Sequence, residues 1–268
     1  MFVLALATIT TAAATSGSEA GAAAKVTVII DGDTTGSAIS ATIINGASYV
    51  PLQGFCAELG AQSTIINEDS VTILAPGLKI EATDGMRYIT ANGRYLFVPA
   101  GCKMLDGELA APIRTLAAAF DAQVSWNGAS KTVYVTTGSG VIASGDAFYN
   151  DNDVHWMSRI ISAEAGGESF LGKIAVGNVI MNRIASPQFP SSVYDVIFDR
   201  RSGIQFTPAY SGAINCNPSA ESVIAAKLAL DGAVVVGDSL YFSQSYLGCW
   251  AARNRPFTAT IGNHSFYA

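Results

Sequence analysis

Apolar and polar positions change their period midway along the chain. In the first half they alternate in short runs: "KVTVIIDG" and "SATIING" read as strands closed by Asp31-Gly32 and Asn45-Gly46 turns. Two longer stretches, "YVPLQGFCAELGAQSTIINEDSVTILAPG" and "AAPIRTLAAAFDAQVSWNGASKTVYVTTG", align with Pro51 on Pro112 and Ala61-Gln62 on Ala122-Gln123. Each copy predicts one unit. A proline opens a short helix, an alternating strand follows, and a turn such as Trp126-Asn127-Gly128-Ala129 leads into a second strand.

After the stretch "GSGVIASGDAFYNDND", rich in Gly, Ser and Asp and read as a linker over 138–152, the period becomes helical. Val154, Met157, Ile161 and Glu164 follow one another at helical steps, so a helix here places all four on one face. A second apolar helical pattern, "GKIAVGNVIMNRI", begins beyond "AEAGGES". The carboxylate of Glu164 thus ends an apolar stripe. An ionised Glu there is costly unless it is paired or its pKa rises, so the position is either an accident at a helix end or a device.

These patterns predict an α+β two-domain protein: an N-terminal α+β domain with two β-rich repeats over 25–137, and a mainly helical domain over 153–268. The chain of 268 residues, half of them hydrophobic, has material for two cores. Net charge is −6, with seven Lys/Arg against twelve Asp/Glu up to residue 150 and eight against nine after it. Neither half carries the basic footprint of a nucleic-acid partner. The apolar run Phe2–Ala14, followed by small residues, has the length of a signal-peptide core, so 1–24 reads as a signal peptide or export segment. The positive n-region is missing, and a buried N-terminal helix is the alternative. With export completed, no membrane association is expected. Cys56, Cys102, Cys216 and Cys249 are disulfide candidates, one pair per half, in an oxidising compartment. Buried free thiols are the other reading.

The pattern "IINGASYVPLQGFCAELGA" with "APIRTLAAAFDAQVSWNGASKTVYV" resembles the copper amine oxidase N-terminal-like (stalk) domain found on exported proteins of Gram-positive bacteria. Both histidines, His155 and His264, lie outside this half, so no copper and no other cofactor is assigned to it. A spacer or wall-binding role is expected. In the second half "EAGGES", "GKIAVGNVIMNRIASPQFPSSVYDVIF", "IQFTPAYSG" and "IGNHSFYA" occur in order, and together they resemble the SleB/CwlJ-type cell wall hydrolases, the spore cortex-lytic enzymes.

That resemblance implies a lysozyme-like fold and cleavage of peptidoglycan glycan strands, in the cell wall or spore cortex, with Glu164 as the catalytic acid. The chemistry agrees, because a general acid must stay protonated near neutral pH and burial raises a Glu pKa in that direction. With one essential acid, a lytic transglycosylase reaction needs no second carboxylate: the sugar's own 6-hydroxyl attacks the anomeric carbon. Glu168 is counted among the substrate-binding residues, where it is expected to position water, accept a hydrogen bond or cap the next helix. Asp195 and Asp199 read as a solvated helix face. By family position Gln205, Phe206, Thr207 and Tyr241 are expected to bind substrate; His264 also matches a family motif, but a lone His is more often a hydrogen-bonded structural residue, and that role is expected of it. Two other readings stand beside this one: a non-catalytic wall-binding or structural protein, and an N-acetylmuramidase or glucosaminidase that hydrolyses with water. Absence of H-E-x-x-H and G-x-S-x-G argues against zinc-protease and serine-hydrolase chemistry.

Overall fold

The structure is a computed structural model that describes residues 25–33, 39–138, 140–244 and 248–268. The export segment expected over 1–24 lies outside the described residues. In chain order the first half runs β1 (Lys25–Ile30), β2 (Ser40–Ile44), β3 (Ala47–Pro51), α1 (Leu52–Glu58), β4 (Ser63–Ile66), β5 (Ser70–Ala75), β6 (Leu78–Thr83), β7 (Tyr88–Ala91), β8 (Arg94–Phe97), β9 (Lys103–Leu105), β10 (Glu108–Pro112), α2 (Ile113–Ala119), β11 (Gln123–Asn127) and β12 (Thr132–Thr136). The second half has α3 (Gly145–Phe148), α4 (Asp151–Ala165), α5 (Phe170–Ala185), α6 (Val193–Ile197), α7 (Pro208–Ser211) and α8 (Ala220–Leu230), then β13 (Tyr241–Gln244), α9 (Trp250–Asn254), β14 (Phe257–Ile261) and β15 (His264–Tyr267). The architecture is therefore mixed, β-rich before residue 137 and helical after it, with a small antiparallel sheet β13-β15-β14 closing the helical half.

Local sequence accounts for most element ends. Asn45 and Gly46 both have positive φ, at 48° and 79°, which is the hairpin geometry that Asn-Gly favours, and they join β2 to β3. Pro51 and Pro112 each precede a seven-residue helix. The expected turn at 126–129 falls two residues later: Trp126 stays in β11 opposite Val133, and the reversal occurs over 128–131. Asn127 Oδ1 accepts from the N–H groups of Ala129 and Ser130, a side-chain turn that shifts the bend downstream.

After each short helix comes an antiparallel strand pair, but the two pairs join different sheets. β4-β5 starts the five-stranded sheet β4-β5-β6-β7-β8, whereas β11-β12 is the edge of the seven-stranded sheet β11-β12-β1-β2-β3-β10-β9, where β12 runs parallel to β1. One apolar core, including Tyr49, Phe55, Ile73, Ile89 and Leu116, fills the space between these layers.

In the second half Ser169 and Ser219 cap α5 and α8, accepting from Gly172 N and Ser222 N. Helices α4, α5 and α8 bury Met157, Ile160, Ile161, Ile174, Ile180 and Leu228 between them. Gly177 lets α5 and α8 approach: a Cβ there would lie 2.7 Å from Cβ of Ala229.

The halves touch. Tyr88, Tyr95 and Phe97 of β7-β8 pack on the helical core. Arg94 Nε and Nη2 donate to Asp231 Oδ2 and Oδ1 at 2.9 and 2.6 Å. Tyr149 OH donates to Asp231 Oδ2 at 3.0 Å and accepts from Tyr95 N at 2.9 Å. The segment read as a linker takes part in this joint: Ile142 is buried with its N–H on Ala119 O, and Gly145 N donates to Asn92 O. Side chains of Arg94 and Asp231 are 15% and 5% exposed, so removing one leaves the other's charge poorly solvated. Arg94→Ala is expected to destabilise the chain by about 2 kcal/mol and to open 140–150 to proteases. An unchanged melt and cleavage pattern would mean that the halves are energetically independent.

Candidate active site

Glu164 occupies the last turn of α4, one residue before the helix ends at Ala165. Ile160 and Ile161, a turn earlier on the same face, are fully buried, and Glu164 is mostly buried beside them. Burial pushes its carboxyl up to about 7. Among the described residues no hydrogen bond or ion pair offsets that desolvation. Among the described residues it is the one carboxyl that burial raises to near neutrality.

Glu168 is built in the opposite way. Its N–H donates to Ala165 O, which brings the carboxylate just past the end of α4. Oε2 accepts from the backbone N–H of Asn263 and Oε1 from Asn263 Nδ2, both at 3.0 Å. These bonds hold its carboxyl below the usual Glu range. Of the three tasks expected for Glu168, accepting a hydrogen bond is the one seen; the cap of α5 is Ser169. The clasp needs a glycine at the β14–β15 turn: Gly262 has φ +58°, and a Cβ there would sit on Glu168 Oε2. Gly262→Ala is expected to release the turn and lower the melting temperature, which differential scanning calorimetry would register.

His264, expected to be structural, is 5% exposed in β15 and packs at 5.2 Å from the Phe242 ring. Burial lowers its pKa, with Glu168 opposing, and Nδ1 has no hydrogen-bond partner.

The expected substrate residues divide. Gln205 and Tyr241 come together in a cleft of about 750 Å³, with Arg183, Asp199, Trp250 and Arg255 in its walls. Thr207 is exposed just ahead of α7. Phe206 departs from expectation: it is 0% exposed, packed 6.1 Å from the Phe242 ring with the Arg183 guanidinium 5.2 Å from its centroid, so it has no ring face to offer a sugar. Asp199 is not on a solvated helix face either. α6 stops at Ile197, and Arg201 holds the Asp199 side chain at 8% exposure.

The cysteines also depart from the expected pairing: all four are free. Cys56 and Cys102 are each 0% exposed within the first core, where they act as small apolar side chains, and burial pushes both thiols up to about 12. Cys216 is exposed, and Cys249 Sγ accepts from Ala252 N at the start of α9.

Sequence reasoning missed Arg183, Trp250 and Arg255. Arg183 had a signal, since a lone cation in "NVIMNRIA" interrupts an apolar helix as Glu164 does. For copper, the donors of the first half do not fit: it has no imidazole, its thiols are held protonated, and among the described residues no three His, Cys, Asp or Glu side chains converge. No helix of the described residues is long and apolar enough to cross a membrane.

Comparison with known proteins finds two family matches. Residues 167–267 match the Cell Wall Hydrolase family and residues 29–135 the copper amine oxidase N-terminal domain. A spore cortex-lytic enzyme of Bacillus cereus is 34% identical over 122 residues, covering 44% of this chain and 45% of that protein. One from Halalkalibacterium halodurans is 35% identical, over 45% of this chain and 36% of that protein. The chain thus matches less than half the length of these relatives. The solved catalytic domain of a germination-specific lytic transglycosylase, SleB from Bacillus anthracis, is 32% identical, with 47% of this chain and 100% of that domain covered and a TM-score of 0.41.

Proposed function

We propose, for a chain that carries a cell wall hydrolase domain behind a copper amine oxidase N-terminal domain, that it cleaves peptidoglycan glycan strands as a lytic transglycosylase with Glu164 as its one catalytic carboxyl. The observation that carries this reading is the Glu164 carboxyl, raised to about 7 by burial and without a partner among the described residues. Protonated, Glu164 gives its proton to the glycosidic oxygen as the C1–O bond breaks. As carboxylate it then takes the proton of the muramic 6-hydroxyl while the new O6–C1 bond forms, which closes a 1,6-anhydro ring and restores the acid. Water need not enter. Glu168 is engaged as an anchor, each of its oxygens accepting from Asn263.

Digestion of purified glycan strands tests the reading: 1,6-anhydromuramic ends are expected, whereas reducing ends alone would mean hydrolysis by water. If Glu164 is the acid, kcat/KM should fall as pH rises through about 7 and hold below it. A limb centred near pH 4.5, where an unperturbed Glu titrates, would remove Glu164 from that role.

We place this activity outside the cell, at wall or spore cortex, after export through residues 1–24. Residues 25–137 serve as spacer or wall-binding module, 138–152 connect, and 153–268 form a lysozyme-like catalytic domain. The units opening at Pro51 and Pro112 we take as copies of one ancestor whose strand pairs entered separate sheets.

A further inference from the structure

The cleft that holds Gln205 and Tyr241 is lined by three arginines, Arg183, Arg201 and Arg255, against a single aspartate, in a chain whose net charge is −6. That aspartate is spoken for. Asp199 Oδ1 and Oδ2 each accept from the Arg201 guanidinium at 3.0 Å, and Oδ1 also takes the Arg201 N–H.

Arg183 is 4% exposed, at the end of α5. Its Nε donates to Leu240 O at 2.8 Å, and the rings of Phe189, Phe206 and Tyr241 surround its guanidinium at 4.9, 5.2 and 5.6 Å. Nη1 is buried and has no partner. Arg255, in the same cleft, lies 5.1 Å from the Tyr241 ring and 5.3 Å from that of Trp250. Its Nε too is buried without a partner. Burial lowers the Arg183 pKa to about 10, so the guanidinium stays charged at neutral pH. A buried cation with an open N–H is costly, as at Arg183; Arg255 is half-buried, with Nη2 donating to Tyr241 OH at 3.3 Å, and adds a second buried N–H without a partner at the same cleft. Trp250, 57% exposed, adds a flat apolar face of the kind a pyranose ring stacks on.

We propose that this cleft is a subsite for a carboxylate on the glycan substrate, the stem-peptide carboxylate of a muramyl peptide, with Arg183 and Arg255 as its ligands and Trp250 under the neighbouring sugar. It rests on the glycan-cleaving reading and adds to it a preference for peptide-bearing, negatively charged strands. A planar fork with free N–H groups suits a carboxylate better than a single neutral carbonyl, and the surplus of positive charge in an acidic protein points the same way.

Calorimetric titration of the full chain carrying Glu164→Gln, which holds substrate without turning it over, tests this. The two probes are N-acetylglucosaminyl-N-acetylmuramyl tetrapeptide and the same compound with its carboxyls converted to methylamides. The free acid is expected to bind about tenfold or more tightly, and the preference to shrink with salt. Adding Arg183→Lys or Arg255→Gln should abolish the preference while leaving methylamide binding in place. Should Arg183→Lys fail to fold, Arg255→Gln decides alone. Equal affinity for the two probes, or a preference that survives Arg255→Gln, overturns the subsite. Digestion of peptide-free strands by the unmodified protein separates the two readings: release of anhydro ends alongside equal affinities leaves the activity standing and removes only the subsite.

Discussion

Glu164→Gln is expected to fold and to lose glycan cleavage by a factor on the order of 10² to 10⁴, or more if the acid and base steps both rest on this one group. The amide keeps the size of the side chain and removes its transferable proton. Stability should move the other way. The folded Glu164 carboxyl is raised to about 7, above its ordinary value of 4.5, so the folded state binds the proton more tightly than the unfolded state. Its contribution is fully present below pH 4.5 and is lost as pH rises through 7. At pH 8 the Gln variant should therefore be more stable than the parent by roughly 2–4 kcal/mol, a difference that vanishes at pH 4. Muropeptide release and paired thermal melts at the two pH values check both halves of the prediction. Glu168→Gln should cost far less activity, since the amide retains an acceptor for Asn263. A dead but folded Glu168 variant beside an active Glu164 variant would reverse the assignment.

Phe206→Ala is expected to cost about 3–5 kcal/mol of stability, a large share of the 5–15 kcal/mol that holds a typical domain together. The ring is fully buried against Phe242 and under Arg183, so its loss leaves a cavity and removes one face of the guanidinium's surroundings. Thr207→Ala, on an exposed side chain next door, should leave the melt unchanged. Urea unfolding of the pair is the measurement. A Phe206→Ala protein that melts normally but no longer binds glycan would return Phe206 to the sugar-contact role expected of it.

Periodicity along the chain was enough to divide it into an alternating first half and a helical second half, to place Glu164 at the end of an apolar stripe, and to mark the Asn45-Gly46 hairpin. These features depend on neighbours within a turn or two, and such neighbours are written side by side. What each group meets across the fold was not legible. Glu168 finds its partners 95 positions away at Asn263, and Arg94 finds Asp231 at 137. Both pairings make anchors of residues that resemble ordinary surface charges in the sequence. The segment at 138–152 has a linker's composition, yet Ile142, Gly145 and Tyr149 are drawn into the joint by contacts to β7-β8 and α8. Phe206 and Tyr241 are alike as aromatic residues in family motifs, and only packing sends one to the core and the other to the cleft. Sequence by itself determined which side chain could hold a proton on an apolar face. Tertiary structure decided which charges are neutralised, which keep a buried N–H without a partner, and which cysteines are merely buried, because desolvation and pairing depend on distances through space that no local pattern encodes.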